Sequence, residues 1–315
     1  MTTPTSPRTE ASDESGEQPP HRPTPFGSDT EIPTRVLVLG MVRKDGTLHA
    51  ADIHPVAEAS GQSVEQVRSC LRRLVAEGLF EREGEGRDAS FRATSAGLRA
   101  MAASMERTRL AFAQDAAGRG WDRNWHLVAF AVPEARRSAR DALRDHLLDL
   151  GGAAVHNGLY VSPHAWEDDV RRTVAHLEVD DHVTLASTDD LEVGGATDPK
   201  AIAARLWPLD ELARRYEGFV TTYQGVPPML EQWRKDKRRL TEAEFLPGSL
   251  AMGIDFQECF NHDPLLPPEL LPRPWPGRQA RELLITCRRL GVLLREAHDA
   301  PQLFAPWDDL LLSLR

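Results

Sequence analysis

Residues 61–97 constrain the fold more than any other segment: a short helix with its start and stop encoded, followed at once by two strand-like runs. Ser63 with Gln66 three positions later forms a capping box, and Gly78 is a natural C-terminal stop. Between them Val64, Val67, Leu71, Leu74 and Val75 fall on one apolar stripe. Glu65, Gln66, Ser69, Arg72 and Arg73 lie on the other side, with Arg68 on the flank. Residues 79–83 and 89–94 read as two strands around a glycine-rich tip at 84–88.

The upstream pattern gives this helix its partners. Residues 33–42 carry Val36, Leu37, Leu39 and Val42 at helical spacing. Residues 47–60 read as a second helix, with Ile53, Val56 and Ala57 inward and Gly61 in the turn. Helix, helix, turn, helix, hairpin is the order of a winged helix-turn-helix. In that reading Gln66, Arg68, Ser69, Arg72 and Arg73 face duplex DNA, and Arg82, Arg87 and Arg92 on the wing meet phosphate or minor groove. Glu81, Glu83, Glu85 and Asp88 are interleaved with those wing cations, so an exposed hairpin of mixed charge is the competing reading.

At 315 residues the chain exceeds a single typical core, which predicts two or three domains. Its net charge of −10 excludes indiscriminate nucleic-acid binding over the whole surface. Residues 31–102 hold ten Lys/Arg and ten Asp/Glu, so that segment is neutral and the rest carries the deficit. The expected DNA footprint is therefore small, and doubled by a homodimer. No apolar run reaches membrane-span length and the N-terminus lacks a signal-peptide core, which predicts no membrane partner and a cytoplasmic location. Cys70, Cys259 and Cys287 are far apart and odd in number, which points to neither a disulfide framework nor a zinc cluster, and neither metal nor cofactor is expected.

The fold class expected is multidomain α+β. Residues 1–30 are a disordered tail, 31–102 the winged helix, and 103–120 a helical connector. Residues 121–193 follow the order βαββαβ of a ferredoxin-like, dimerising domain, and 194–315 form a mostly helical C-terminal domain.

Three blocks resemble one family, the PaaX-type transcriptional repressors, named for control of phenylacetate degradation. The first is Val67-Arg68, residues 73–78 and Thr94 with Gly97. The second is residues 125–128, Pro133-Glu134, Arg137, Arg140, Leu143 and Arg144, and residues 158–163. The third and most specific is Asp263-Pro264-x-Leu266-Pro267-x-Glu269-Leu270-Leu271-Pro272 with Trp275-Pro276-Gly277 and Ala280. The resemblance runs from about residue 34 to 297. It implies a homodimeric regulator, not an enzyme, that is released from its operator by an aryl- or acyl-CoA thioester.

Two cationic features could serve the phosphates of such an effector, or the DNA backbone: Arg136, Arg140 and Arg144 as one ridge, or the cluster at 234–239 with Arg234, Lys235, Lys237 and Arg238. A solvated helix face or salt-bridge ridge is the alternative for each. The central domain also resembles small ferredoxin-fold nucleases that place a metal-binding Asp at the end of the first strand. Here Ala131 stands there, with no oxygen for a magnesium ion, which disfavours a nuclease. A protein-interaction module is the third reading.

Overall fold

The computed structural model describes residues 33–84, 89–240 and 242–294. The tail expected at 1–30, the wing residue Arg87 and everything after residue 294 lie outside the described residues.

The N-terminal unit contains α1 (Thr34–Gly40), β1 (Thr47–His49), α2 (Ala50–Ala59), α3 (Val64–Ala76), β2 (Phe80–Glu83) and β3 (Ser90–Ala93). Its three strands pair antiparallel in the order β1-β3-β2. The helix expected over 47–60 is thus corrected at its start. Thr47 pairs with Arg92 and His49 with Ser90, so three residues complete the hairpin's ladder before α2 begins. The Asp45 carboxylate accepts hydrogen bonds from the Thr47 hydroxyl (2.6 Å) and amide (3.0 Å), and these hold its pKa below the ordinary value. The α3 capping box is present: Gln66 N donates to Ser63 Oγ (3.2 Å) and Ser63 N to Gln66 Oε1 (2.7 Å). Val67, Cys70, Leu71 and Leu74 are buried, whereas Val64, in the first turn, is 46% exposed.

Helix α4 (Ser95–Ala117) is unbroken, so the expected boundary at residues 102 and 103 falls inside one helix. Thr94 secures its start: the hydroxyl donates to Gly78 O (2.6 Å) and accepts from Gly97 N (3.1 Å). A Cβ at Gly97 would collide with the Leu79 carbonyl oxygen, which explains the glycine at this close approach.

The central unit has β4 (Trp125–Phe130), α5 (Arg137–Asp149), β5 (Ala153–His156), β6 (Leu159–Ser162), α6 (Glu167–His176) and β7 (Val183–Thr188), with the sheet order β5-β6-β4-β7. All neighbouring strands are antiparallel. Side chains alternate along β4 as a pleated strand requires. Val128 and Phe130 meet Leu143, Leu147, Val170 and Val174 of α5 and α6. Trp125 and Leu127 belong to a second core with Ile202, Trp207, Leu266 and Leu270, formed by α7 (Pro199–Leu206) and the proline-rich loop. Each sheet face therefore packs on a core within the chain, while Thr184 and Ala186 at the β7 edge are exposed.

Helices α8 (Leu209–Tyr223), α9 (Val226–Lys235), α10 (Glu242–Asn261) and α11 (Pro276–Leu294) complete the fold. Their core is continuous with that of the N-terminal unit, placing Leu37, Ile53 and Leu74 in one apolar cluster with Leu250, Phe256 and Leu290. Helix α2 packs on α10. Helix α4 is fastened to the same body: Arg107 donates to the carbonyls of Phe260 (3.3 Å) and Asp263 (2.9 Å) and lies over the Phe260 ring.

Candidate nucleic-acid interface

The seven expected DNA contacts among the described residues do not form one patch. Arg68 and Arg72 of α3 and Arg82 of β2 line a groove of about 460 Å³ between helix and hairpin. Strand alternation explains the third member. Arg82 pairs in register with Phe91, on the hairpin face turned to α3, while Arg92 pairs with Glu81 on the opposite face. Arg92 is engaged there by Glu83 at 3.1 Å. Arg73 lies about 100° around the helix from Arg72, on the flank of Glu77 rather than of the groove. Glu77 is itself held by Arg35 at 2.8 Å, and that bond keeps its carboxyl below the ordinary range. Gln66 is exposed, but its carbonyl oxygen serves the helix cap, leaving only its amide nitrogen to reach outward. Ser69 is half-buried.

The groove carries its own counter-charge. Glu65 accepts from Arg72 Nη2 at 3.1 Å and stands 4.0 Å from Arg68. These pairs are solvent-exposed, so phosphate could replace the carboxylate at little cost. His54 of α2 also lines the groove, and its Nδ1 is buried without a hydrogen-bond partner among the described residues. Sequence reasoning missed His54 because it sits on a helix whose outward face carried no other signal.

The two cationic features proposed for an effector are locally matched. Arg136 lies in a 3₁₀ turn (Glu134–Arg136) before α5, so the ridge expected from helical spacing is not continuous. Its guanidinium donates to the carbonyls of Leu177 (2.8 Å) and Glu178. Arg140 binds Glu134 at 2.7 Å and Arg144 binds Asp145 at 2.9 Å. The helix expected under residues 234–239 ends at Lys235. Arg234 binds Glu231 at 2.8 Å, Arg238 stacks 4.3 Å over Trp233, and Lys235 and Lys237 are exposed.

In the central unit Ala131 follows β4, exposed, with its amide donating to His182 O at 3.0 Å. His126 Nδ1 is 2.6 Å from Glu167 Oε1, and His164 Nε2 donates to Leu265 O at 2.8 Å. These partners lie too far along the chain to be found by local spacing. Among the described residues no three His, Cys, Asp or Glu side chains gather as a metal site, and no helix is long and apolar enough to cross a membrane.

The arrangement defines a class: a mixed α/β protein with small antiparallel sheets and a helical C-terminal region, in which a helix-and-hairpin unit presents a cationic groove. Residues 118–203 match the PaaX protein central Cas2-like domain, and residues 207–299 match the PaaX-like protein C-terminal domain. The chain belongs to the PaaX family. It is similar to the Transcriptional repressor PaaX of Escherichia coli (strain K12), 26% identical over 245 residues, covering 77% of this chain and 73% of that protein. Among solved structures it resembles the Uncharacterized protein Rv0674 from Mycobacterium tuberculosis, with a TM-score of 0.52 and 19% identity over 82% of this chain and 94% of the other. That likeness concerns the fold alone.

Proposed function

We propose that the chain is a non-enzymatic transcriptional repressor that binds duplex DNA through a winged helix, α1 to β3, and is released by a small effector. The observation that carries this is the groove in which Arg68, Arg72 and Arg82 converge from two elements. A mere solvated helix face would not recruit a hairpin cation onto the same side. The repressor name of the similar Escherichia coli protein supports the reading. The central βαββαβ unit is taken as ferredoxin-like. With both faces packed at the centre of the sheet, homodimerisation falls to an edge strand such as β7, where Thr184 and Ala186 are exposed. Family resemblance points to an aryl- or acyl-CoA thioester as effector, acting through a difference in affinity between DNA-bound and free states.

The test is selection of DNA fragments retained by the purified chain, followed by titration of the recovered site against salt. A specific duplex with affinity falling steeply as salt rises supports the reading. Retention of no duplex at low salt would leave a protein-interaction module as the function of the N-terminal unit.

A further inference from the structure

The groove between α3 and the hairpin has a cationic rim, with Arg68, Arg72 and Arg82, over an apolar floor that includes Leu71 and Phe91. His54 of α2 enters the same groove. The helix sets its place. Ile53, Val56 and Ala57 are buried, which fixes the rotation of α2 and leaves His54 half-buried on the flank that faces the groove. Its Nδ1 is buried without a hydrogen-bond partner among the described residues. A proton on that nitrogen would be an N–H stripped of water by folding and given no acceptor. The ring is therefore better satisfied with its proton on Nε2, the nitrogen left to meet whatever enters the groove.

The charges around His54 suit an uncharged donor better than a fourth cation. Arg68 and Arg72 face it from α3 and Arg82 from β2, while on α2 itself Asp52 is engaged by Arg43 at 2.6 Å and Glu58 is exposed. Long, exposed arginines supply attraction to a phosphate with little control of its position. A ring held on a helix flank offers one N–H in one direction. We infer that His54 contacts DNA through Nε2–H, as an uncharged donor to a single backbone phosphate in the groove, and so sets how deep α3 sits. The inference rests on the repressor reading and names the group that fixes the duplex against this helix.

Filter binding on the selected duplex tests this, over a range of salt and at about pH 8, where free imidazole is uncharged. His54→Ala and His54→Asn should bind about tenfold more weakly with an unchanged salt slope, because an uncharged donor releases no counterion. His54→Gln should recover the loss to within about twofold, since its amide nitrogen reaches the place of Nε2 whereas that of asparagine stops near Nδ1. The asparagine and glutamine pair keeps the test decisive even if alanine unsettles α2. Replacing the phosphates of the site one at a time by methylphosphonate should find a position that weakens the native chain and leaves His54→Ala unaffected. A glutamine variant as weak as the alanine one would make His54 a packing residue, and a slope lowered by about one unit would make it a cation. Either result overturns the inference, as does full affinity in His54→Ala. If the native chain retains no duplex, the repressor reading falls and this contact with it; failure of the variant pattern on a retained duplex removes the contact alone.

Discussion

Arg281 donates from Nε (2.5 Å) and Nη2 (2.9 Å) to the two oxygens of Asp115, a fork-to-fork pair that joins α11 to the far end of α4 across 166 positions of sequence. Arg281 is 4% exposed, and its remaining Nη1 lies 3.7 Å from Asp263 Oδ2, itself the acceptor of the Tyr216 hydroxyl at 2.8 Å. The bond and field of Asp115 outweigh burial and raise the guanidinium pKa above its ordinary value.

Breaking this pair should be costly. Asp115→Ala leaves a buried cation facing a single, more distant carboxylate, and should lower stability by about 3–5 kcal/mol. Replacing Asp115 and Arg281 together by Leu and Met, with Asp263→Asn so that no buried carboxylate is left without its cation, should cost much less. Urea denaturation of the two variants checks the difference; equal losses would mean that packing, not charge, sets the cost.

Binding to the selected DNA site should separate the arginines by position. Arg72→Ala and Arg82→Ala should each weaken affinity, and each lower the salt slope by about one unit if they hold phosphate. Arg73→Ala and Arg92→Ala, which face away from the groove, should do much less. Glu65→Gln should tighten binding several-fold by freeing Arg72 and Arg68. Filter-binding titrations over a range of salt decide this, and equal effects of Arg72→Ala and Arg73→Ala would mislocate the interface.

Gly97→Ala should destabilise the fold by about 1–3 kcal/mol, because the methyl group must displace the Leu79 carbonyl where α4 meets the wing. Thr94→Ala should cost about 1 kcal/mol through the lost cap. Thermal melts of both variants test the pairing, and a neutral Gly97→Ala would show that the helix start has slack.

Acidification should loosen the contact between the central sheet and the proline-rich loop. Burial depresses the pKa of His164, against the opposing effect of its bond to Leu265 O. A base with a depressed folded pKa is more readily protonated in the unfolded chain. Its contribution is therefore complete above the ordinary value of 6.5 and lost as pH falls through the folded value. Native protein should lose more stability between about pH 7.5 and 5.5 than His164→Gln, as read from urea midpoints. Parallel losses would assign the acid sensitivity elsewhere.

How much was legible followed from how local each signal is. The capping box at Ser63 and Gln66 involves near neighbours, and sequence spacing located it. Strand β1 was read as helix because three residues cannot display alternation; only its pairing with β3, more than forty positions on, makes it a strand. Arg136, Arg140 and Arg144 looked like an open ridge because the carbonyls of Leu177 and Glu178 and the carboxylates of Glu134 and Asp145 are invisible to a reading of spacing alone. The shared core of the N-terminal unit and α10 was hidden for the same reason: apolar stripes announce burial, not the partner.

That shared core has a geometric consequence. With α2 seated on α10 and no flexible tether between reader and body, the angle of α3 is set by side-chain packing. In any pair of chains the distance between two such helices would then behave as a ruler of fixed length, matched to whole turns of the double helix rather than stretched to fit. Lengthening the loop at residues 118–120 could not retune it; only repacking the α2–α10 contact could.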